Sequence, residues 1–326
     1  MRRPFSTLIV ALGAAALLAA GCGSGDSETA PPAQPERNGE PADFPTAKGL
    51  TLGQLDAEAG RSLVFTPSVR SLKKGTNRFG FALYDVAGKQ ITGASVALYT
   101  ARKDGSGVRG PYIARSESLK VSGPFQSRTT AADPDSAKAV YVAEVPFRRW
   151  GRHVVAAVAK LDGRLVMTTP HSADVQKSES DPPGVGERAI RVHTRTLADV
   201  GGDASQLDTR TPPAEDLLRT DLADVLGRKP VVITFATPAL CQSRVCGPVV
   251  DIVEQVKSRA PGGVAWIHQE IWTDNDPGKG VQPPVAAWRL RTEPWTFVID
   301  RSGRIAARFE GAFSAGELQR AVAKVT

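Results

Sequence analysis

Cysteine is scarce in this chain: 326 residues hold three, at positions 22, 241 and 246. None lies between 22 and 241, so the first half of any fold has no cysteine pair to staple it. Histidine is equally sparse there. His153 and His171 stand apart, with no cysteine or acidic cluster nearby, and read as surface or strand-end residues. Long apolar runs are missing. The N-terminal run Leu8 to Ala20 has 13 residues, and a helix needs about 20 to cross a bilayer. Positive charge is not concentrated either. The formal net charge is +7, and the pairs Lys73-Lys74 and Arg148-Arg149 make no stripe that would bind nucleic acid. Asp274, Asp276 and Gly278 resemble the start of a calcium loop. The later acidic ligand of an EF-hand is absent, which leaves a solvated loop. No metal or cofactor is expected.

What is present begins with an address. Arg2 and Arg3 precede the apolar run, as in an export signal over residues 1–21. Leu18-Ala19-Ala20-Gly21-Cys22 resembles a bacterial lipobox. That resemblance implies lipidation of Cys22 and a place on the extracytoplasmic face of the cell membrane. Two acyl chains suffice for stable anchoring. Residues 22–48 carry Gly23-Ser24-Gly25 and five prolines, and read as a disordered tether.

Two folded parts are expected beyond the tether, because about 280 residues exceed one typical core. The Ser, Pro and charged run around Gln176 to Gly184 is the expected linker. Residues 49–175 read as an all-β sandwich of immunoglobulin-like architecture. Short β-rich runs such as Phe79, Phe81 and Leu83 alternate, and turns fall at Ala87-Gly88 and Asp162-Gly163. No catalytic constellation is visible in this part. Residues 185–326 alternate strand and helix. Pro230 to Phe235 is apolar throughout, as in a strand covered on both faces. A helix follows from Gly247 to Arg259, with Pro248 in its first turn. A strand at Val264 to His268, a hairpin across Arg301-Ser302-Gly303 and a helix capped by Ser314 and Glu317 complete the order.

A dithiol between the first strand and its helix, in that order of elements, resembles the thioredoxin superfamily over roughly residues 185–326. Gly184 to Ala189 looks like the entry segment of its lipoprotein-type members. Cys246-Gly247-Pro248 copies part of the family's Cys-Gly-Pro-Cys, and Pro294 falls where the family places a cis-proline. Val249 stands where the fourth cysteine belongs, so the pair is Cys241-x₄-Cys246. The usual Trp before the first cysteine is replaced by Leu240. The resemblance implies a Cys241–Cys246 disulfide that exchanges with exported thiol and disulfide proteins and with a redox partner.

The roles of the two sulfurs stay open. A helix N-terminus lowers the pKa of Cys246, and Arg244 between the sulfurs can add to this. Chain order favours Cys241 as attacker and Cys246 as resolver. Two alternatives remain. One is a binding module whose disulfide is structural, since exported proteins keep such bonds routinely. The other is copper delivery, with His268 joining the two sulfurs. Trp266, Trp272, Trp288 and Trp295 read as core and site walls.

Overall fold

The computed structural model describes residues 39–57, 60–176 and 181–326. The expected export signal, Cys22, the expected tether up to residue 38 and residues 177–180 of the expected linker lie outside the described residues. No helix among the described residues is long and apolar enough to cross a membrane.

The protein is mostly β. Ten strands form one large sheet: β1 (Gly60–Pro67), β2 (Gly75–Tyr84), β3 (Gln90–Ile91), β4 (Ser95–Arg102), β5 (Arg109–Ile113), β6 (Arg115–Ser118), β7 (Ala139–Phe147), β8 (Gly151–Leu161), β9 (Arg164–Thr168) and β10 (His171–Val175). The order is β5-β4-β8-β9-β1-β2-β7-β6, with β10 on β8 and β3 on β2. β1 changes partners along its length. Its start runs parallel to β9, and Val64 to Pro67 pair antiparallel with β2. The two halves of the sheet therefore share a core, in which Phe79, Phe81 and Leu83 meet Leu98, Val155 and Ala157. Their alternation along β2 puts every second side chain inside.

Part of the span read as tether is packed. Phe44 and Ala47, with Leu52 and Leu55 of α1 (Leu52–Ala57), bury against Ala97, Tyr99 and Val158. Tyr99 Oη donates to the Pro45 carbonyl at 2.6 Å. The second face of β4 and β8 is itself apolar, and this segment covers it. The proline-rich composition hid two apolar anchors.

A separate sheet contains β11 (Val231–Phe235), β12 (Ala265–Gln269), β13 (Trp295–Ile299) and β14 (Ile305–Glu310), in the order β12-β11-β13-β14. β11 and β12 are parallel, and the other pairs are antiparallel. Every residue of β11, β12 and β13 is buried, because helices and loops cover both faces. Besides α1 and α2 (Arg128–Ala132) in the first part, the α-helices among the described residues are α3 (Leu222–Val225), α4 (Cys246–Lys257), α5 (Pro283–Ala287) and α6 (Ala315–Val322). α4 and α6 pack on one face of the small sheet, and α3 and α5 pack on the other. Ser314 and Glu317 form the expected capping box on α6.

The two sheets belong to one compact unit. Leu119, Val140 and Val142 of the first part share a core with Val249, Val253 and Leu318. α4 turns one apolar face to the small sheet. Its outer face is buried as well, and its buried polar residues Asp251 and Gln255 accept from Ser127 and Ser122. The linker end is packed too. Arg308 donates to the Pro182, Pro183 and Ser71 carbonyls and stacks over Trp295.

Candidate functional site

Cys241 and Cys246 are joined by a disulfide, with Cα atoms 6.0 Å apart. β11 delivers the chain to Thr237, and residues 237–245 loop outward before α4 begins. Arg244 takes the left-handed conformation, φ 56°, which turns the loop back to the helix start. Cys246 is the first residue of α4 and has no exposure to solvent. Val245 before it supplies no side-chain cap, so the sulfur sits where unsatisfied N–H groups gather. Cys241 is half-buried, its Sγ 3.2 Å from Ser243 Oγ. Gly247 and Pro248 are buried in the first turn of α4.

The Glu293–Pro294 peptide is cis, and this loop faces the disulfide. A carboxylate oxygen of Glu293 lies within 4.8 Å of both sulfurs. Burial, and then the charge of Glu270, push the Glu293 carboxyl up to about 7. Sequence reasoning reached Pro294 and stopped one residue short. The available signal was an acid directly beside a predicted site proline. Among the described residues this is the only cluster of three or more metal-ligand side chains. While the sulfurs are bonded to each other they offer no thiolate to a metal.

His268 is not part of that cluster. Its Nε2 lies 3.1 Å from the Ala236 carbonyl, and Nδ1 lies 3.5 Å from Asp208. Burial opposes the imidazolium, but Asp208 and then Glu270 outweigh it and hold His268 at about 8. Both ring nitrogens thus face protein groups, which removes His268 from the sulfur site. Asp208 in turn accepts from the backbone of Arg210 and Ala214. The buried Arg210 guanidinium pairs with Asp251 at 2.9 Å and Glu254 at 2.6 Å, both on α4, and also donates to the Phe125 carbonyl. Glu270 accepts from Thr209 and from the Ile271 amide, and Thr209 Oγ1 accepts from Ala239 in the cysteine loop. This polar underside of the site carried no recognisable motif.

The first part of the chain reaches the disulfide loop directly. Arg244 pairs with Asp133 at 3.1 Å and Asp135 at 2.5 Å, and the Ala137 amide donates to the Arg244 carbonyl. The expectation that Arg244 adds positive charge at the sulfurs is corrected: two carboxylates claim its guanidinium. Gly247 is packed against α2. A Cβ on it would stand 2.8 Å from Thr130 Oγ1.

Beside the disulfide opens a cleft of about 670 Å³ between the large sheet and the small one. Phe81 and Tyr84 form one wall, Trp272 and Leu290 the other, and Leu240 and Glu293 stand at the cysteine loop. Trp266, Trp288 and Trp295 are buried in the core.

No family model matches the chain, and no curated protein matches it. Among solved structures it is similar to the human F-spondin reeler domain (fragment 1), at 9% identity over 36% of this chain and 91% of that one. The TM-score is 0.20, and a likeness at that level carries nothing about fold or function.

Proposed function

We propose that residues 185–326 form a thioredoxin-like domain, joined to an immunoglobulin-like β-sandwich, and that Cys241 and Cys246 exchange disulfides with exported proteins. The observation that carries this reading is the placement of the pair. One sulfur is half-exposed beside a cleft, the other is buried at the start of α4, and a cis-proline loop stands opposite. The small sheet's β12-β11-β13-β14 order, with a parallel pair and an antiparallel hairpin, supports the fold. A lipid on Cys22 would hold this chemistry at the extracytoplasmic face of the membrane.

In the reducing direction, the Cys241 thiolate attacks a disulfide of an exported protein. A mixed disulfide forms and one partner thiolate leaves. The Cys246 sulfur then attacks Cys241, the mixed bond breaks, and the second partner thiolate departs. Two electrons pass from the dithiol to the partner. The accessibility of Cys241 supports its role as attacker, and the burial of Cys246 suits a resolving thiol. The test is Cys246→Ser in the full chain, reduced and mixed with exported proteins. Mixed disulfides through Cys241 are expected. Their absence from both single-cysteine variants, with a reduction potential well below about −300 mV, would leave the bond structural.

A further inference from the structure

We propose that Glu293 is the proton acceptor for Cys246 in the resolving step, and the proton donor when that step reverses. This rests on the exchange reading above and names a catalytic residue for it. Cys246 has no exposure to solvent. When Cys241 has formed a mixed disulfide, Cys246 is left as a thiol, and only its thiolate attacks efficiently. Its proton therefore needs an acceptor inside the protein. The Glu293 carboxylate is within 4.8 Å of both sulfurs, a span that one bridging water or a modest side-chain turn closes to hydrogen-bond reach.

The surroundings suit proton exchange near neutrality. Burial and then the charge of Glu270 place Glu293 at about 7, close to where a general base works best. Other ionisable groups near the loop are Arg70, Arg291 and Tyr84 along the cleft. Glu310 of β14 accepts from Thr292 in the loop. Arg244, from the cysteine loop, is held by Asp133 and Asp135. Atoms balance as follows. The Cys246 proton passes to Glu293, the Cys246 sulfur bonds to Cys241, and the Cys241–partner bond breaks. The partner sulfur leaves with the electron pair, and Glu293 releases its proton to water once the cleft empties.

The experiment uses the reduced full chain with Cys22→Ala, and an aromatic disulfide reagent that releases one coloured thiolate at attack and a second at resolution. Glu293→Gln is expected to act on the second phase far more than on the first. It should slow the second phase by about 10²-fold, the usual size of a general-base effect. The inflection of the second phase near pH 7 should vanish. Glu293→Asp should restore part of the rate. Circular dichroism and thermal melting of each variant verify the fold. A second phase unchanged in rate and inflection in Glu293→Gln overturns the assignment while leaving exchange intact. Equal slowing of both phases also overturns it. Absence of any second phase in the parent chain removes the exchange reading, and this proposal with it.

Discussion

Replacing Arg78 should separate the two sheets energetically. Arg78 lies on β2 and donates Nε and Nη2 to the two carboxylate oxygens of Glu317 on α6, each at 2.8 Å. Nη2 also donates to the Ala312 carbonyl at 2.9 Å, and the guanidinium lies over the Phe309 ring. Both side chains are largely buried, at 15% and 6% exposure. Removing one partner of such a pair strands the other charge, which costs about 3–5 kcal/mol. An exposed pair would cost only about 0.2–1 kcal/mol, so the size of the loss separates an integral interface from a surface contact. Glu317 also accepts from the Ser314 amide in the capping box. A second variant, Arg78→Met with Glu317→Gln, keeps a cap-competent side chain at that position and removes both charges. It should recover most of the loss.

Urea unfolding at pH 7, followed by fluorescence and far-ultraviolet circular dichroism, reads both effects. Arg78→Ala should lower stability by about 3–5 kcal/mol. Burial alone would raise the Glu317 carboxyl, but Arg78 overrides it and holds it below the usual 4.5. A depressed carboxyl contributes stability above its unfolded value and loses it as pH falls through the folded one. The gap between wild type and Arg78→Ala should therefore narrow below about pH 4.5. A loss under about 1 kcal/mol at pH 7, or a gap that widens in acid, refutes the argument.

Two further outcomes follow from the site. Gly247→Ala sets a methyl 2.8 Å from Thr130 Oγ1, which Ser127 already holds by a hydrogen bond. It should lower stability by about 1–3 kcal/mol, and Thr130→Ala added to it should restore most of the melting temperature. A double variant no more stable than Gly247→Ala would exclude that contact as the cause. His268 is held at about 8 against 6.5 unfolded. A raised value contributes stability below the unfolded pKa, lost as pH rises through the folded one. Wild type should lose about 1 kcal/mol between about pH 6.5 and 8, of about 2 kcal/mol over the whole titration. His268→Gln should flatten that window, and an unchanged slope in it would reassign the effect.

Much of the small sheet was legible because local and global signals agree there. The apolar run Val231–Phe235 has to be covered on both faces, and it is. Ser314 and Glu317 announce α6 through a cap whose bonds are local. The alternation of Phe79, Phe81 and Leu83 likewise reads directly as one buried face. The site was half legible. The cysteines and Pro294 carry sequence marks, whereas Glu293 acquires its character only from the sulfurs and the Glu270 charge brought beside it. Arg210 and Asp251 look like ordinary surface charges in a linear reading, and they are buried against partners 41 residues apart or more across the fold.

The first part of the chain, in which the sequence shows no catalytic constellation, is more than a spacer. A spacer would leave α4 with a solvated outer face. Instead Leu119, just after β6, and Val140 and Val142 of β7 complete the core of α4. The same part holds the disulfide loop in three ways: Thr130 against Gly247, the acids Asp133 and Asp135 on Arg244, and the Ala137 amide on the Arg244 carbonyl. It also supplies Phe81 and Tyr84 to the cleft beside the sulfurs. Each contact is weak or polar taken singly, and none has a sequence period. Together they make the large sheet a wall of the site, so any polypeptide that reaches Cys241 through the cleft meets side chains from both sheets.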